Sequence, residues 1–332
     1  MSSAAPGRPA ETAGSSRDGG ASEYATGYHD PVLLREAVDL LVTDPAGVYV
    51  DGTLGGGGHT AALLDVLGPD ATVFGIDRDP EALATARARL AEAEAAGRFV
   101  PVHATFAEMG AALAAEGIAA GTVSGVLLDL GVSSRQLDAA SRGFAYAQDG
   151  PLDMRMNPTV GESVAELIAR LDSSDLANVI YEFGDERRSR RLARAIHEAE
   201  RMETTADLAT AVRGATPDRD EVKTLARVFQ ALRIAVNGEI EQIEAAFPAA
   251  LRMLSPGGRL AVIAYHSLED RRAKRFLRHG TFERDPQKDD FGRVLSPLRA
   301  ITRKPVIASD EEIAANPRAR SARLRVAEKT DA

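Results

Sequence analysis

The chain predicts an α/β fold: a doubly wound, mostly parallel sheet with a helical region inserted into it. Three features of the sequence lead there. Short runs rich in Val, Ile and Leu alternate with helical patterns between Val48 and Asp129. From about residue 141 to 235 the alternation gives way to segments with helical periodicity and little strand signal. Beyond 236 it resumes with one long helical pattern and a strand. Strands buried on both faces and linked by helices form a parallel sheet, because each crossover helix lies back across a face.

The strand candidates of the first half are 48–51 (VYVD), 72–77 (TVFGID), 99–104 (FVPVHA) and 123–131 (VSGVLLDLG). Helices are expected between them at 59–68 and 80–97. The second opens on Pro80, whose missing N–H is harmless in a first turn, and closes on Gly97, which tolerates a left-handed terminus. In the inserted region, 173–184 begins with serines that cap a helix and ends on Gly184, and 187–200 carries a further helical pattern. In 239–258, Ile240, Ile243, Phe247, Leu251 and Leu254 recur on one helical face. Pro256-Gly257-Gly258 stops that helix, 259–267 follows as a buried strand, and 320–328 supplies a last one. The expected organisation is a disordered tail over 1–27, a first sheet segment over 28–140, the helical insert over 141–235, and a second sheet segment over 236–332.

Composition narrows the class. With 44% hydrophobic and 27% charged residues the chain reads as an ordinary globular protein. No apolar run approaches the roughly 18 residues of a membrane span. Residues 1–27, rich in Ser, Ala and Gly, hold no apolar stretch for a signal peptide and too little apolar surface to fold alone. There is no cysteine, which excludes disulfides and thiolate metal sites, and a cytoplasmic location is expected. No spacing of His and acids suggests a metal site. The net charge of −9 does not announce a nucleic-acid binder. Two basic stretches, 271-RRAKRFLR-278 and 317-PRARSARLR-325, are nonetheless candidates for phosphate contact.

The chemistry is signalled at 47-GVYVDGTLGGGGHT-60, where a strand runs into Asp51 and then five glycines between Gly52 and Gly58. A backbone without side chains at a strand end lets a nucleotide-like cofactor approach closely. The spacing is not G-x-G-x-x-G, and a carboxylate directly before the first glycine would repel a pyrophosphate while suiting an ammonium. That combination favours S-adenosylmethionine, with its ammonium and ribose and no phosphate, over a dinucleotide. Asp77 ends the second strand, where an acid accepts ribose hydroxyls in either cofactor class. Phe106 follows the third strand as a neighbour for adenine, and Asp129 ends the fourth. His59 lies within the glycine turn, close to any ligand there.

Beyond these local signals the chain resembles a known family, the bacterial small-subunit ribosomal RNA cytosine-N4 methyltransferases (RsmH/MraW). The resemblance is carried by 28-YHDPVLLREAV-38, 51-DGTLGGGGHT-60, 75-GIDRDPEAL-83, 127-LLDLGVSSRQLD-138 and 143-GFAYAQDGPLDMRMNP-158. It continues through 229-FQALRIAVNGEIEQIE-244, 254-LSPGGRLAVIAYHSLEDRRAKRF-276 and 316-NPRARSARLRVAE-328. It implies a class I S-adenosylmethionine-dependent methyltransferase, Rossmann-like, whose inserted helical domain recognises substrate. Cofactor contacts are implied at Gly57, Gly58, His59, Asp77, Phe106, Asp129 and Gln136. The implied substrate is a cytidine in the decoding region of 16S rRNA, position 1402 in the usual rRNA numbering, presented within the small ribosomal subunit. No membrane and no stable protein partner are expected. With an assembled particle as target, shape recognition should outweigh dense charge, and salt sensitivity should be modest.

The exocyclic amine of cytosine is a weak nucleophile because its lone pair is delocalised into the ring. Catalysis must hold the base out of any stack with N4 in line with the methyl group, and needs an acceptor for the amine hydrogens. Many amino-methyltransferases supply that acceptor from an Asp/Asn-Pro-Pro-aromatic motif after the fourth strand; here the place reads 129-DLGV-132. Asp129 and Asn237 are the catalytic candidates. Asp153, Arg155, Asn237, His266 and Ser267 are candidates to hold the base, although His266, at the end of a buried strand, also suits a structural role. Another nucleic acid or a small molecule stands as the alternative substrate on the same fold. A nicotinamide oxidoreductase and a ribosome-binding module with a vestigial pocket are the alternatives of other classes.

Overall fold

The computed structural model describes residues 31–331 except 285, 287 and 293, so the tail expected over 1–27 lies outside the described residues. In chain order the first half runs α1 (Leu34–Leu41), β1 (Val48–Asp51), α2 (Gly58–Val66), β2 (Thr72–Asp77), α3 (Pro80–Arg89), α4 (Ala91–Ala95), β3 (Phe99–His103), α5 (Met109–Ala115), β4 (Val123–Asp129) and α6 (Ser134–Asp138). The insert carries α7 (Val164–Arg170), α8 (Ser173–Gly184), α9 (Ser189–His197), α10 (Thr205–Gly214) and α11 (Glu221–Asn237). The chain then returns through α12 (Glu239–Met253), β5 (Leu254–Ala264), α13 (Ser267–His279), β6 (Leu298–Ala300), α14 (Asp310–Ala315) and β7 (Arg323–Lys329).

The seven strands form one sheet in the order β3-β2-β1-β4-β5-β7-β6. Neighbours from β3 to β5 pair in parallel, and β7 runs antiparallel between β5 and β6. The strand order reverses at β1 and β4, so a crevice opens beyond their carboxyl ends. One face of the sheet packs on α1, α2 and α3 through Leu41, Leu63 and Ala86. The other packs on α5, α12 and α13 through Leu113, Phe247 and Phe276. A separate apolar cluster runs from Phe144 to Leu232, so the insert has a core of its own.

Local chemistry sets most boundaries. Asp79, rather than a serine or threonine, caps α3 by accepting from Glu81 N, with Pro80 in the first turn. Asp172 caps α8 by accepting from Ser174 N and Asp175 N, one residue before the serines expected to do so. Two expectations fail for tertiary reasons. The helix expected over 80–97 breaks at Leu90, which leaves helical geometry (φ −106°, ψ 23°) and buries its side chain beside Gly57. The helix expected over 239–258 stops at Met253, because Leu254 already pairs with Val123 of β4. Residues 255–258 are absorbed as a bulge, and the register jumps from Val123↔Leu254 to Gly125↔Arg259. The short edge strand β6 carried no signal in the sequence.

The face built on α12 and α13 depends on an aromatic group in which the rings of Phe247 and Phe276 meet edge to face at 5.5 Å and Phe282 lies 5.0 Å from Phe276. Phe247 is fully buried. Replacing Phe247 with Ala should destabilise the fold by about 3–5 kcal/mol, through lost transfer energy and the cavity left behind. Urea unfolding of the two proteins would show it as a lower midpoint with an unchanged slope.

Candidate active site

Among the described residues, a cleft at the carboxyl ends of β1, β2 and β4 encloses about 760 Å³ of atom-free space, its open mouth included. It is lined by Gly52, Thr53, Leu54 and Gly55 of the glycine turn, and by Asp77, Phe106, Asp129 and Tyr265.

The turn is pinned to the sheet: Leu54 N donates to Ile76 O of β2, and Gly57 N donates to Leu54 O. Gly55 and Gly57 take positive φ (51° and 77°), a conformation glycine adopts without a Cβ clash. Their outlooks differ. A Cβ on Gly55 would meet nothing closer than Thr53 O at 3.9 Å, so the backbone there faces open space. A Cβ on Gly57 would meet Leu90 at 3.1 Å and Ala86 at 3.4 Å. Gly57 therefore packs on α3 instead of bordering the cleft, while Gly58 and His59 do border it. Gly55, missed as a site residue by the sequence reading, takes the place expected of Gly57.

Asp51 also departs from expectation. It is 1% exposed, accepts from Thr53 N at 3.2 Å and from Thr60 Oγ1 at 2.8 Å, and is absent from the cleft lining. Its carboxylate ties the end of β1 to α2 behind the turn, and burial raises its pKa above the usual carboxylate range. The acids that do border the cleft are Asp77 and Asp129.

Asp77 accepts from Gly55 N and Asp79 N, each at 2.8 Å, which holds its carboxylate against the turn. Burial, the largest influence, raises its pKa from 3.8 to about 6, against the lowering effect of those two amide bonds. Asp129 is anchored through its backbone, whose N–H donates to Thr53 Oγ1 at 2.6 Å. The Tyr265 hydroxyl donates to Asp129 Oδ1 at 2.8 Å. Burial first, and then the neighbouring Asp129, push the Tyr265 phenol well above its ordinary pKa, so it stays protonated and donating. His59 lies 3.8 Å from Asp129 Oδ2 through Nδ1, and its Nε2 is 3.1 Å from the Val32 carbonyl. Because a carbonyl only accepts, Nε2 donates to Val32 O, and Nδ1 is the nitrogen turned to Asp129. Gln136 borders the cleft with its amide already engaged: Oε1 accepts from Ser133 N at 3.0 Å and Nε2 donates to Asp79 at 3.2 Å.

The remaining candidates are placed differently. Asn237 is 5% exposed and has all four hydrogen-bonding positions filled. Its Oδ1 accepts from Met156 N (2.8 Å) and Arg78 (3.1 Å), and its Nδ2 donates to Met154 O (2.8 Å) and Arg233 O (2.9 Å). Such a side chain has no capacity left to read a base or assist a reaction; it is a clamp. Asp153 and Arg155 form a two-pronged pair, Nε to Oδ1 at 2.8 Å and Nη2 to Oδ2 at 2.7 Å, and neither borders the cleft. From that motif it is Met156 that reaches the cleft wall. His266 and Ser267 line an adjoining recess with Arg320, and Tyr265 belongs to both cavities. Glu239, His266 and Glu269 bring ligand-capable atoms within 4.8 Å of one another, a grouping that sequence spacing hides. Both Glu239 oxygens are bonded by Arg233 at 2.8 Å and His266 Nε2 lies 3.0 Å from Glu269 Oε1, which makes this an ion-pair network.

Comparison with known proteins decides the family. Residues 26–330 match the MraW methylase family. The chain is 50% identical over 309 residues to the ribosomal RNA small subunit methyltransferase H of Acinetobacter baylyi, covering 91% of this chain and 99% of that one. It is 51% identical over 304 residues to the protein of the same name from Sorangium cellulosum, covering 90% of each. The chain belongs to the MraW methylase family.

As a MraW methylase it is an S-adenosylmethionine-dependent enzyme, and the cleft fits that cofactor. Its lining includes two acids, Asp77 and Asp129, and a cation, Arg78, that is turned to the carbonyl and amide of Asn237. Such a lining suits a ligand with a ribose and an ammonium and would not neutralise a pyrophosphate. Asp77 would take the ribose hydroxyls, Phe106 the base, and the backbone at Gly55 and Gly58 would lie alongside.

Asp77 gives this methylase a pH signature. A carboxyl whose pKa rises on folding favours the folded state below its unfolded pKa of 3.8, and that advantage is lost as the pH climbs through about 6. The rise corresponds to about 3 kcal/mol. A ribose diol donates best to the ionised form, so cofactor affinity should fall up to about tenfold per pH unit below pH 6. Calorimetric titrations between pH 5 and 8 would show this. Asp77→Asn should weaken binding at pH 8 by about 10–100-fold and flatten the profile.

Proposed function

We propose that this methyltransferase acts on the exocyclic N4 of a cytidine in the decoding region of small-subunit ribosomal RNA, in the cytoplasm and on the assembled small subunit. Two relatives sharing half its residues carry the name of a small-subunit rRNA methyltransferase. The observation that carries the chemistry is the Asp129 carboxylate at the end of β4, with one oxygen held by Tyr265 and the other facing His59.

S-adenosylmethionine supplies an electrophilic methyl group when bound; the protein must make a weakly nucleophilic amine attack it. Asp129 borders the cleft, where its carboxylate would accept from an amine hydrogen and draw electron density onto nitrogen as the bond forms. Tyr265, kept protonated, occupies Oδ1 and fixes the plane of the carboxylate. The proton that the nitrogen must shed passes to the Asp129 carboxylate, beside which His59 Nδ1 lies 3.8 Å from Oδ2. Met156, Val132 and Ser133 line the same cleft, and Tyr265 joins it to the recess of His266 and Ser267. That recess is where the base and its flanking phosphate would be held.

Small subunits from cells lacking the protein, incubated with enzyme and labelled S-adenosylmethionine and analysed by nucleoside mass spectrometry, should yield N4-methylcytidine from one site. Cofactor binding without transfer to that RNA would leave the enzyme class standing and remove the substrate. In the same assay Asp129→Asn should lower kcat by about 10²–10⁴-fold, the range for a lost general base. Tyr265→Phe should lower kcat about tenfold with little change in cofactor affinity, since it only orients the carboxylate.

A further inference from the structure

The inserted domain carries a second recess, far larger than the cleft, between α8 and α9. It encloses about 1690 Å³ of space open to solvent and is lined by Arg187, Arg188, Arg190, Arg191 and Arg194 together with Tyr181, and by no acid. Arg188 is paired with Asp220. The other four are exposed, and among the described residues their side chains have neither an ion pair nor a hydrogen bond. Tyr181, on α8, is 60% exposed.

This arrangement differs from that of the two basic stretches to which the sequence draws attention. Arg272 is bonded to Glu244 at 2.9 Å, Arg323 and Arg325 to Asp270 at 3.1 and 2.8 Å, and Arg318 to Asp138. Those four charges are spent within the fold, while Lys274, Arg278 and Arg320 of the same stretches keep no ion pair among the described residues. The α9 arginines are left over. Crowding like charges is unfavourable, and Arg190 and Arg191 sit in the first turn of α9, where the helix dipole opposes a cation. Among the described residues no partner offsets that cost, whereas a polyanion would.

We propose that this groove is a docking surface for the ribose-phosphate backbone of RNA next to the target nucleotide, with Tyr181 stacking on an unpaired base. The inference rests on the rRNA reading above and adds the surface that holds the substrate. Four unpaired guanidiniums suit phosphate oxygens, and an exposed tyrosine beside them suits a single-stranded or loop segment. The location agrees. Glu186, immediately before Arg187, is held by Thr224 and Arg227 of α11 at 3.4 and 3.3 Å. Arg227 precedes Asn237 by ten residues of the same helix. That is about 15 Å along the axis, a reach of a few nucleotides from the cleft wall that Asn237 secures.

The test compares wild type with R190E/R194E, R187E/R191E, their Lys and Gln counterparts, and Tyr181→Ala. These side chains are exposed, so thermal melting should be unchanged. With small subunits as substrate, each reversal should raise KM at least tenfold while kcat and cofactor affinity stay within twofold. The slope of log K against log salt for RNA binding should shrink by about 1–2. The Lys pairs should retain most of the affinity, and the Gln pairs should fall between Lys and Glu. Unchanged KM and salt slope in the reversals would overturn the inference. A loss of binding to small subunits but not to naked 16S RNA would also overturn it, because the partner would then be an acidic protein. Anisotropy with a labelled 16S fragment separates this inference from the substrate reading. RNA binding lost in the reversals, with no methyl transfer by wild type, would keep the groove and remove the substrate reading.

Discussion

The Asn237 side-chain amide holds the two halves of the molecule in working relation. It closes the last turn of α11, accepts from Met156 and Arg78, and donates to Met154. One buried group therefore ties the core of the insert, the loop after β2 and the segment that walls the cleft. Because all four positions are filled, removing any partner would strand a buried polar atom, the condition that makes such a junction specific. The left-handed backbone at Met154 (φ 57°) belongs to the same junction and aims its carbonyl at the amide. The DMRM signature is thus a docking element, with Asp153 and Arg155 bonded to each other beside it.

Around that junction the carboxylates divide by environment. Asp51 and Asp77 both lie under raised pKa values because burial outweighs their hydrogen bonds, yet one is sealed behind the turn and the other opens onto the cleft. Asp129 is held through Thr53 and Tyr265, so its position is set by β1 and β5 as well as by its own strand. A buried acid that costs stability in the free protein and gains a hydrogen-bond donor in the complex is a local conflict of the kind expected at a functional site.

Net charge misleads about partners for a related reason. A total of −9 says nothing about which cations have already been neutralised within the fold. Arginines at 318, 323 and 325 are structural, one of them at 8% exposure, whereas those of α9 remain available on a chain that is acidic overall. Contact with rRNA by such a protein would be a matter of local placement, with the salt dependence concentrated in a few side chains.

The sequence by itself determined most strands of the sheet, the run of helices between β4 and β5, and the end of the sheet where the candidate site residues gather. Periodicity, Pro80, the glycine turn and the acids at strand ends are local signals, and β1, β2, β4 and α8 lie where those signals put them. It also placed Gly58, His59, Asp77, Phe106, Asp129 and Gln136 around one cleft. Only the tertiary structure decided what each polar group has left to offer. Met156, which Asn237 holds, is 81 residues from it, and Tyr265, which holds Asp129, is 136 away, and no local pattern records either. The face of Asp51 was likewise decided by Thr60, in the first turn of the following helix. The physical reason is saturation: residue type sets how many hydrogen bonds or charges a side chain can contribute, but the fold sets how many are already used, and function falls to what remains.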